Sequence, residues 1–334
     1  MNEPRRHRLV LLGSDEIALP VFEAILEMTN VEVVGVYSQP DRPAGRGQEI
    51  RSNPIATWAK QKGLPLLQPE RLTELHAQAL KKQQVDLGVV MAYGQILQEG
   101  FLQSTRLGFV NFHGSLLPAL RGATPVEGAL ALGLKTTGVS LQQVVRRLDA
   151  GPIHGSVECA INPGEGRASL RQRLGILAVD LARQKLESLL CGQSQPVPQD
   201  ESRVMYTRRL TREDAPLDFN TSAAECAHRI AALEGWPGST IPYREVFLKV
   251  GGAEFEESNS QASPGTILSA DSTGLRIACR SGVLVIKSLQ KPGGKMLPIR
   301  EFLAGHPLVL GEVLSSKSMP LLVSPHPFPR APKA

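Results

Sequence analysis

The sequence predicts a mostly parallel α/β sheet with helices on both faces, followed by a smaller β-rich domain. Three observations carry this reading. Residues 8–195 alternate short apolar runs with helix-like segments, the signature of a parallel sheet. A polar stretch with two prolines follows, Gln193-Ser194-Gln195-Pro196-Val197-Pro198-Gln199-Asp200. Beyond it the alternation stops, and short apolar runs are separated by Gly and Ser. A length of 334 residues fits two domains at roughly 150 residues each.

Arg8-Leu9-Val10-Leu11-Leu12 is a short buried run closed by Gly13, hence a strand. Ser14 or Asp15 offers an oxygen to the first free helical N–H groups and so caps a helix through Leu26. Val31 to Tyr37 is a second strand. A helix is expected over 53–62, with Pro54 in its first turn, where no N–H is needed. Residues 72–83 read as helix, 85–92 as strand, 108–112 as strand, 126–132 as a short helix and 180–190 as a closing helix. In the second half a helix is expected over 222–233, with strands at 266–268, 275–279 and 283–289. A small barrel is one way for such strands to close. The tail holds Pro320, Pro325, Pro327, Pro329 and Pro332, and is expected to be extended and mobile.

Composition excludes several classes. With 42% hydrophobic and 21% charged residues the chain is globular rather than disordered. No apolar run approaches the roughly 18 residues of a spanning helix. Leu9 to Leu12, behind the basic N-terminus, is too short for a signal-peptide core. A cytoplasmic protein without membrane attachment is expected. Cys159, Cys191, Cys226 and Cys279 are scattered, and the seven His show no ligand spacing. Neither a disulfide framework nor a metal site is expected. The net charge of +5 is mild, so any nucleic-acid surface must be a local patch.

Four segments carry candidate chemistry. The first strand-to-helix turn has only Gly13 where a dinucleotide fingerprint needs three glycines, which argues against an NAD enzyme. Asn111-Phe112-His113-Gly114-Ser115-Leu116-Leu117-Pro118-Ala119-Leu120-Arg121-Gly122 follows a strand, at the edge where open parallel sheets bind ligands. In extended backbone, residues two apart face the same side, so Asn111 and His113 point together. An amide beside an imidazole suits a carbonyl oxygen that gains negative charge. Arg147-Leu148-Asp149-Ala150-Gly151-Pro152-Ile153 reads either as a strand end and turn or as the source of a carboxylate, Asp149, that orients His113 and holds its charged form. Gln39-Pro40-Asp41-Arg42-Pro43-Ala44-Gly45-Arg46-Gly47 is an exposed turn in the plain reading; yet arginine pairs well with phosphate, and glycine permits close backbone approach.

Asn111 to Pro118, then Arg121-Gly122-Ala123-Thr124-Pro125, Gly138-Val139-Ser140 and Leu148-Asp149-Ala150-Gly151 resemble, in order and spacing, the folate-dependent formyltransferases. The resemblance implies a Rossmann-like half in which Asn111, His113 and Asp149 are the catalytic group. It places Ser115, Leu116, Leu117 and Pro118 at the tetrahydrofolate site. The Arg42–Arg46 loop resembles the one that methionyl-tRNA formyltransferases insert at the tRNA acceptor end. Pro264 to Leu268, Leu289 to Met296 and the stretch around Trp236-Pro237-Gly238 resemble the OB-like C-terminal β-barrel domain of the same enzymes. Between Ser272 and Arg300 lie Arg276, Arg280, Lys287, Lys291, Lys295 and Arg300 and no acidic residue, a stripe that could follow a phosphate backbone.

The implied organisation is a formyltransferase domain over 1–192, a linker over 193–206, an OB-like tRNA-binding domain over 207–314 and a Pro-rich tail over 315–334. The implied reaction moves the formyl group of 10-formyltetrahydrofolate, as cosubstrate and without metal, to the α-amine of initiator methionyl-tRNA. A monomer is expected. Two rivals share the catalytic half: formylation of a small amine, such as an amino sugar nucleotide or glycinamide ribonucleotide, and a nonenzymatic RNA-binding protein. The sequence departs from the family at Gly13-Ser14-Asp15-Glu16-Ile17, at Pro152 and at Gly235, all outside the three catalytic candidates.

Overall fold

Seven strands build the first sheet: β1 (His7–Gly13), β2 (Val31–Tyr37), β3 (Leu66–Leu67), β4 (Leu87–Met91), β5 (Phe109–His113), β6 (Thr136–Gln143) and β7 (Ile153–Ala160). Their order across the sheet is β7-β6-β5-β4-β1-β2-β3. The pairs β1/β2, β1/β4, β2/β3 and β4/β5 are parallel, and β6 runs antiparallel to β5. The structure, a computed structural model, describes residues 5–44 and 49–329. Gly45, Arg46 and Gly47 of the arginine loop, and 330–334, lie outside the described residues.

The expected strands and helices of this half are present. Asn53 caps the helix Pro54–Gln61 by accepting from the Ala56 N–H. Asp15, one of the departures from the family pattern, accepts from the Ile17 N–H and pairs with Arg171 at 2.5 Å. It therefore does local work as a cap and an anchor. Val10, Leu12, Tyr37, Tyr93, Phe101 and Phe109 are among the side chains that fill the core on one sheet face. Burial of this kind contributes about 25 cal/mol per Å² of apolar surface.

The chain divides into two units whose boundaries differ from those expected. The first takes residues up to Ala123, Thr137–Cys159 and Arg171–Met205; the second takes Thr124–Thr136, Ala160–Leu170 and everything from Tyr206. The helix Pro125–Ala131 thus leaves the catalytic half to pack on the helix Ala223–Ala232. Its Ala131 joins a small cluster with Leu210, Leu233 and Leu322.

In the second unit the strands Ser239–Tyr243, Val246–Glu256, Val283–Gln290, Gly274–Ala278 and Ile267–Asp271 lie side by side in that order, all antiparallel. Leu248, Val250, Leu275, Ile277, Leu284 and Ile286 turn into a core that also takes Phe219, Ile230 and Phe302. The tail is extended as expected, and residues 320–324 are docked on the second unit. Val323–Ser324 pairs with Tyr206–Thr207, and Leu322 is buried. The Pro320 and Leu321 carbonyls accept from Arg229 and Arg208.

The same two arginines close on Asp214, whose side chain is fully buried. Arg208 donates at 2.9 and 2.6 Å, Arg229 at 3.2 Å, and the Thr211 N–H at 2.7 Å. Burial pushes the Asp214 carboxyl up, but these hydrogen bonds and the two guanidinium charges outweigh it, and the net shift is downward. A carboxylate with a depressed pKa stabilises above its unfolded value, and that stability drains as pH falls through the folded value. Asp214→Ala is expected to cost about 3 kcal/mol, because it leaves the buried Arg229 guanidinium and the half-buried Arg208 one without their carboxylate. Urea unfolding at pH 7 measures the loss, and the difference from the native protein should shrink in acid.

Candidate active site

Two facts of strand geometry make the site. Asn111 and His113 sit two residues apart at the end of β5 and share a face. In the antiparallel register with β6, Gln142 lies directly opposite Asn111 and Ser140 opposite His113. The chain then doubles back through Asp149. Gly151 is required there, since a Cβ would lie 1.8 Å from the Gln143 carbonyl oxygen. Gly138 is held in the same way, with the Val157 carbonyl 2.2 Å from where a Cβ would be.

His113 is almost wholly buried, and its Nε2 lies 2.9 Å from the Leu120 carbonyl oxygen. A carbonyl only accepts, so Nε2 carries the proton and Nδ1 presents its lone pair. That lone pair faces Asp149 Oδ2 at 3.8 Å, too far for a hydrogen bond but close enough for an ion pair once the ring is protonated. The ring is thus oriented by Leu120. Asp149 places a carboxylate oxygen opposite Nδ1 without hydrogen-bonding to the ring.

Asp149 is itself held firmly. Oδ2 accepts from the Gly122 N–H at 2.8 Å and Oδ1 from Gln142 Nε2 at 2.9 Å. Asn111 differs. It is half-buried, and among the described residues its side-chain amide has no hydrogen-bond partner. An amide beside an imidazole with a lone pair and a carboxylate is equipped to polarise a carbonyl and to move a proton.

Ser115 to Pro118 form the turn after β5, closed by a cis Leu117–Pro118 bond. The Ser115 hydroxyl donates to the Ala119 carbonyl at 2.6 Å, so it holds the turn. Ser140 Oγ donates to the Ser115 carbonyl and accepts from the Leu117 N–H, fixing the turn to β6. Leu116 and Pro118 are half-buried and Leu117 is buried.

The other candidates are distributed over both units. Arg42 opens a short hairpin, Arg42–Ala44 with Glu49–Arg51, and pairs with Glu70 at 2.5 Å while both remain exposed. The stripe Arg276–Arg300 is not a uniform row of unpaired cations. Arg276 is held by Glu256 at 3.1 Å and lies 3.7 Å from Asp271, and Lys287 is held by Glu254 at 2.9 Å. No salt bridge is seen for Arg280, Lys291 or Lys295 among the described residues, though the Arg280 charge acts on the Glu225 carboxylate. Gly235, another departure, has φ of 82°, a region that glycine enters without strain.

Sequence reasoning missed Gln142 and Gln199. Gln199 Nε2 donates to the Asp149 carbonyl at 2.9 Å and the Gly151 carbonyl at 2.7 Å. Among the described residues no group of three or more His, Cys, Asp or Glu is placed to hold a metal, and no helix is long and apolar enough to cross a membrane.

The fold and the chain's patterns match known proteins on both halves. Residues 8–182 match the formyl transferase family, and residues 209–307 match the formyl transferase C-terminal domain. Among solved structures, an N-formyltransferase from Helicobacter canadensis in complex with folinic acid and dTDP-3-aminofucose shares the fold at a TM-score of 0.65. At 14% identity it covers 86% of this chain and 100% of its own. HypX from Aquifex aeolicus, in complex with tetrahydrofolic acid, aligns at 0.57 and 15% identity over 94% of this chain and 51% of its own. The class defined is a formyl transferase.

The full-length relatives narrow it further. The methionyl-tRNA formyltransferase of Ectopseudomonas mendocina is 39% identical over 88% of this chain and 93% of its own length. That of Myxococcus xanthus is 37% identical over 92% and 97%. The chain belongs to the methionyl-tRNA formyltransferase family.

Proposed function

We propose that this protein transfers the formyl group of 10-formyltetrahydrofolate to the α-amine of initiator methionyl-tRNA. The observation that carries the reading is the unpartnered Asn111 amide on the same strand face as His113, whose Nδ1 faces Asp149 at 3.8 Å. The folate supplies an activated formyl carbon; the chain's residues do the rest. Asn111 donates to the formyl oxygen as charge builds on it, a contact worth about 2.7–4 kcal/mol for a well-placed donor. The amine must attack uncharged, and a free α-amine has a pKa of about 7.7–8.0. His113 Nδ1 takes up the amine proton, and Asp149 stabilises the imidazolium that results; that proton then passes to the folate nitrogen as its bond to the formyl carbon breaks, releasing tetrahydrofolate and a neutral His113. The Leu116–Pro118 turn, fixed by Ser140, lines the folate site.

On the tRNA side, Arg42 and Arg46 reach the acceptor end, and Arg280, Lys291 and Lys295 contact the phosphate backbone. Arg276 and Lys287 join them where phosphate displaces their acidic partners. Arg46→Ala is expected to raise KM for methionyl-tRNA about tenfold without changing KM for the folate. The salt dependence of log KM should flatten by about one phosphate contact. An unchanged KM would remove the loop from the interface.

The defining assay follows radiolabelled formyl transfer to methionyl-tRNA, free methionine and small amines at two salt concentrations. Transfer to the tRNA alone, weakened by salt, is expected. Formylation of small amines alone would favour the small-amine reading, and no transfer at all the nonenzymatic one.

A further inference from the structure

Asp149 occupies the left-handed region, with φ of 48°. A non-glycine residue stays there only when its surroundings hold it. Its side chain is fixed by Gly122 and Gln142, but its backbone is held from another part of the chain. Gln199, in the proline-flanked stretch that the sequence reads as a linker, donates Nε2 to the carbonyls of Asp149 and Gly151. The same nitrogen reaches Gln142 Oε1 at 3.3 Å, and Gln142 Nε2 donates to the Asp149 carboxylate. Gln199 Oε1 accepts from Arg121 Nε at 3.0 Å and from Nη2 at 2.8 Å. The Arg121 side chain is fully buried and also meets Glu201 at 2.9 Å.

These contacts form one directed chain. A guanidinium that can only donate fixes which end of the Gln199 amide accepts; Gln199 then fixes Gln142, and Gln142 faces Asp149 with a donor. We infer that Gln199, clamped by Arg121, is a positioning residue for the reaction. It sets the backbone of the Asp149–Gly151 turn and the orientation of Gln142, and so the place of the carboxylate opposite His113. The inference rests on the reading of Asp149 as catalytic.

The function of the clamp is distinguished from plain structural support by its dependence on Asp149. Gln199→Glu keeps an acceptor for Arg121 but removes every donor to the turn. It is expected to lower kcat for methionyl-tRNA formylation about 10- to 100-fold, with both KM values unchanged, since small misplacements at a reacting centre act on rate. Placed in an Asp149→Asn background, the same change should alter kcat less than twofold, because residues acting as one unit are not additive. Gln199→Met, close in volume and without donors, repeats the test and decides it if the first variant does not fold. A kcat within twofold of native, or an equal fractional loss in both backgrounds, overturns the inference. Asp149→Asn alone at native kcat would instead overturn the catalytic reading of Asp149.

Discussion

Asn111→Ala is expected to lower kcat for formyl transfer about 10²- to 10³-fold while leaving both KM values and the melting temperature near native. The reason is that the Asn111 amide is unspent in the folded protein: it has no hydrogen-bond partner among the described residues. Its truncation strands no donor or acceptor, so the usual cost of breaking a buried hydrogen bond does not arise. The backbone of β5 keeps its ladder with β4 and β6. What disappears is a donor that gains value only as charge develops on the formyl oxygen. An interaction made mainly in the transition state acts on kcat and kcat/KM together.

Asn111→Asp sharpens the test. It preserves the shape and puts an acceptor where the developing charge needs a donor, so its loss should exceed that of alanine. His113→Ala is less clean, since it also deletes the donor to Leu120 O. Single-turnover formylation with saturating tRNA, beside a thermal melt, separates chemistry from folding. Native kcat in Asn111→Ala would place the charge-stabilising donor elsewhere.

The legible parts of the site were those set by local spacing. Asn111 and His113 share a face because they stand two apart in a strand, and any reading of 109–113 as extended predicts it. Asp149 is 36 positions from His113, and only the family resemblance joined them. Gln142 and Gln199 carry common amides 57 positions apart. Nothing in their neighbourhoods marks them until the register of β5 against β6 sets Gln142 opposite Asn111. The closing helix runs over Arg167–Leu190, beginning well before the 180–190 expected, with Gly175 inside it. In the fold that glycine is a close approach: a Cβ there would lie 2.8 Å from the Ile17 carbonyl oxygen. The basic stripe shows the reverse error. Counting charges along the chain found Arg276 and Lys287 but not Glu254 and Glu256, which lie outside the counted window and pair with them across the sheet.

Asp149→Asn should be the most damaging conservative change in the site, lowering kcat about 10³- to 10⁴-fold, by analogy with removing the charge behind a catalytic histidine. Two effects act together. Both carboxylate oxygens accept, one from the Gly122 N–H and one from Gln142 Nε2. An asparagine offers one oxygen and one NH2, so one of those donors must face another donor. The turn is then pushed from a backbone conformation already in the left-handed region. The second effect is electrostatic. With Nε2–H committed to Leu120, a proton taken up by His113 must sit on Nδ1, 3.8 Å from the carboxylate oxygen. Without that charge the imidazolium loses its counter-ion in a largely buried setting, where such pairs matter most. Asp149→Glu divides the two effects, restoring the charge without the fit. Its kcat should fall between those of native and Asp149→Asn. If Asp149→Asn keeps a kcat within tenfold of native, the proton from the amine does not pass through His113. If the glutamate variant is no better than asparagine, position rather than charge is what Asp149 supplies.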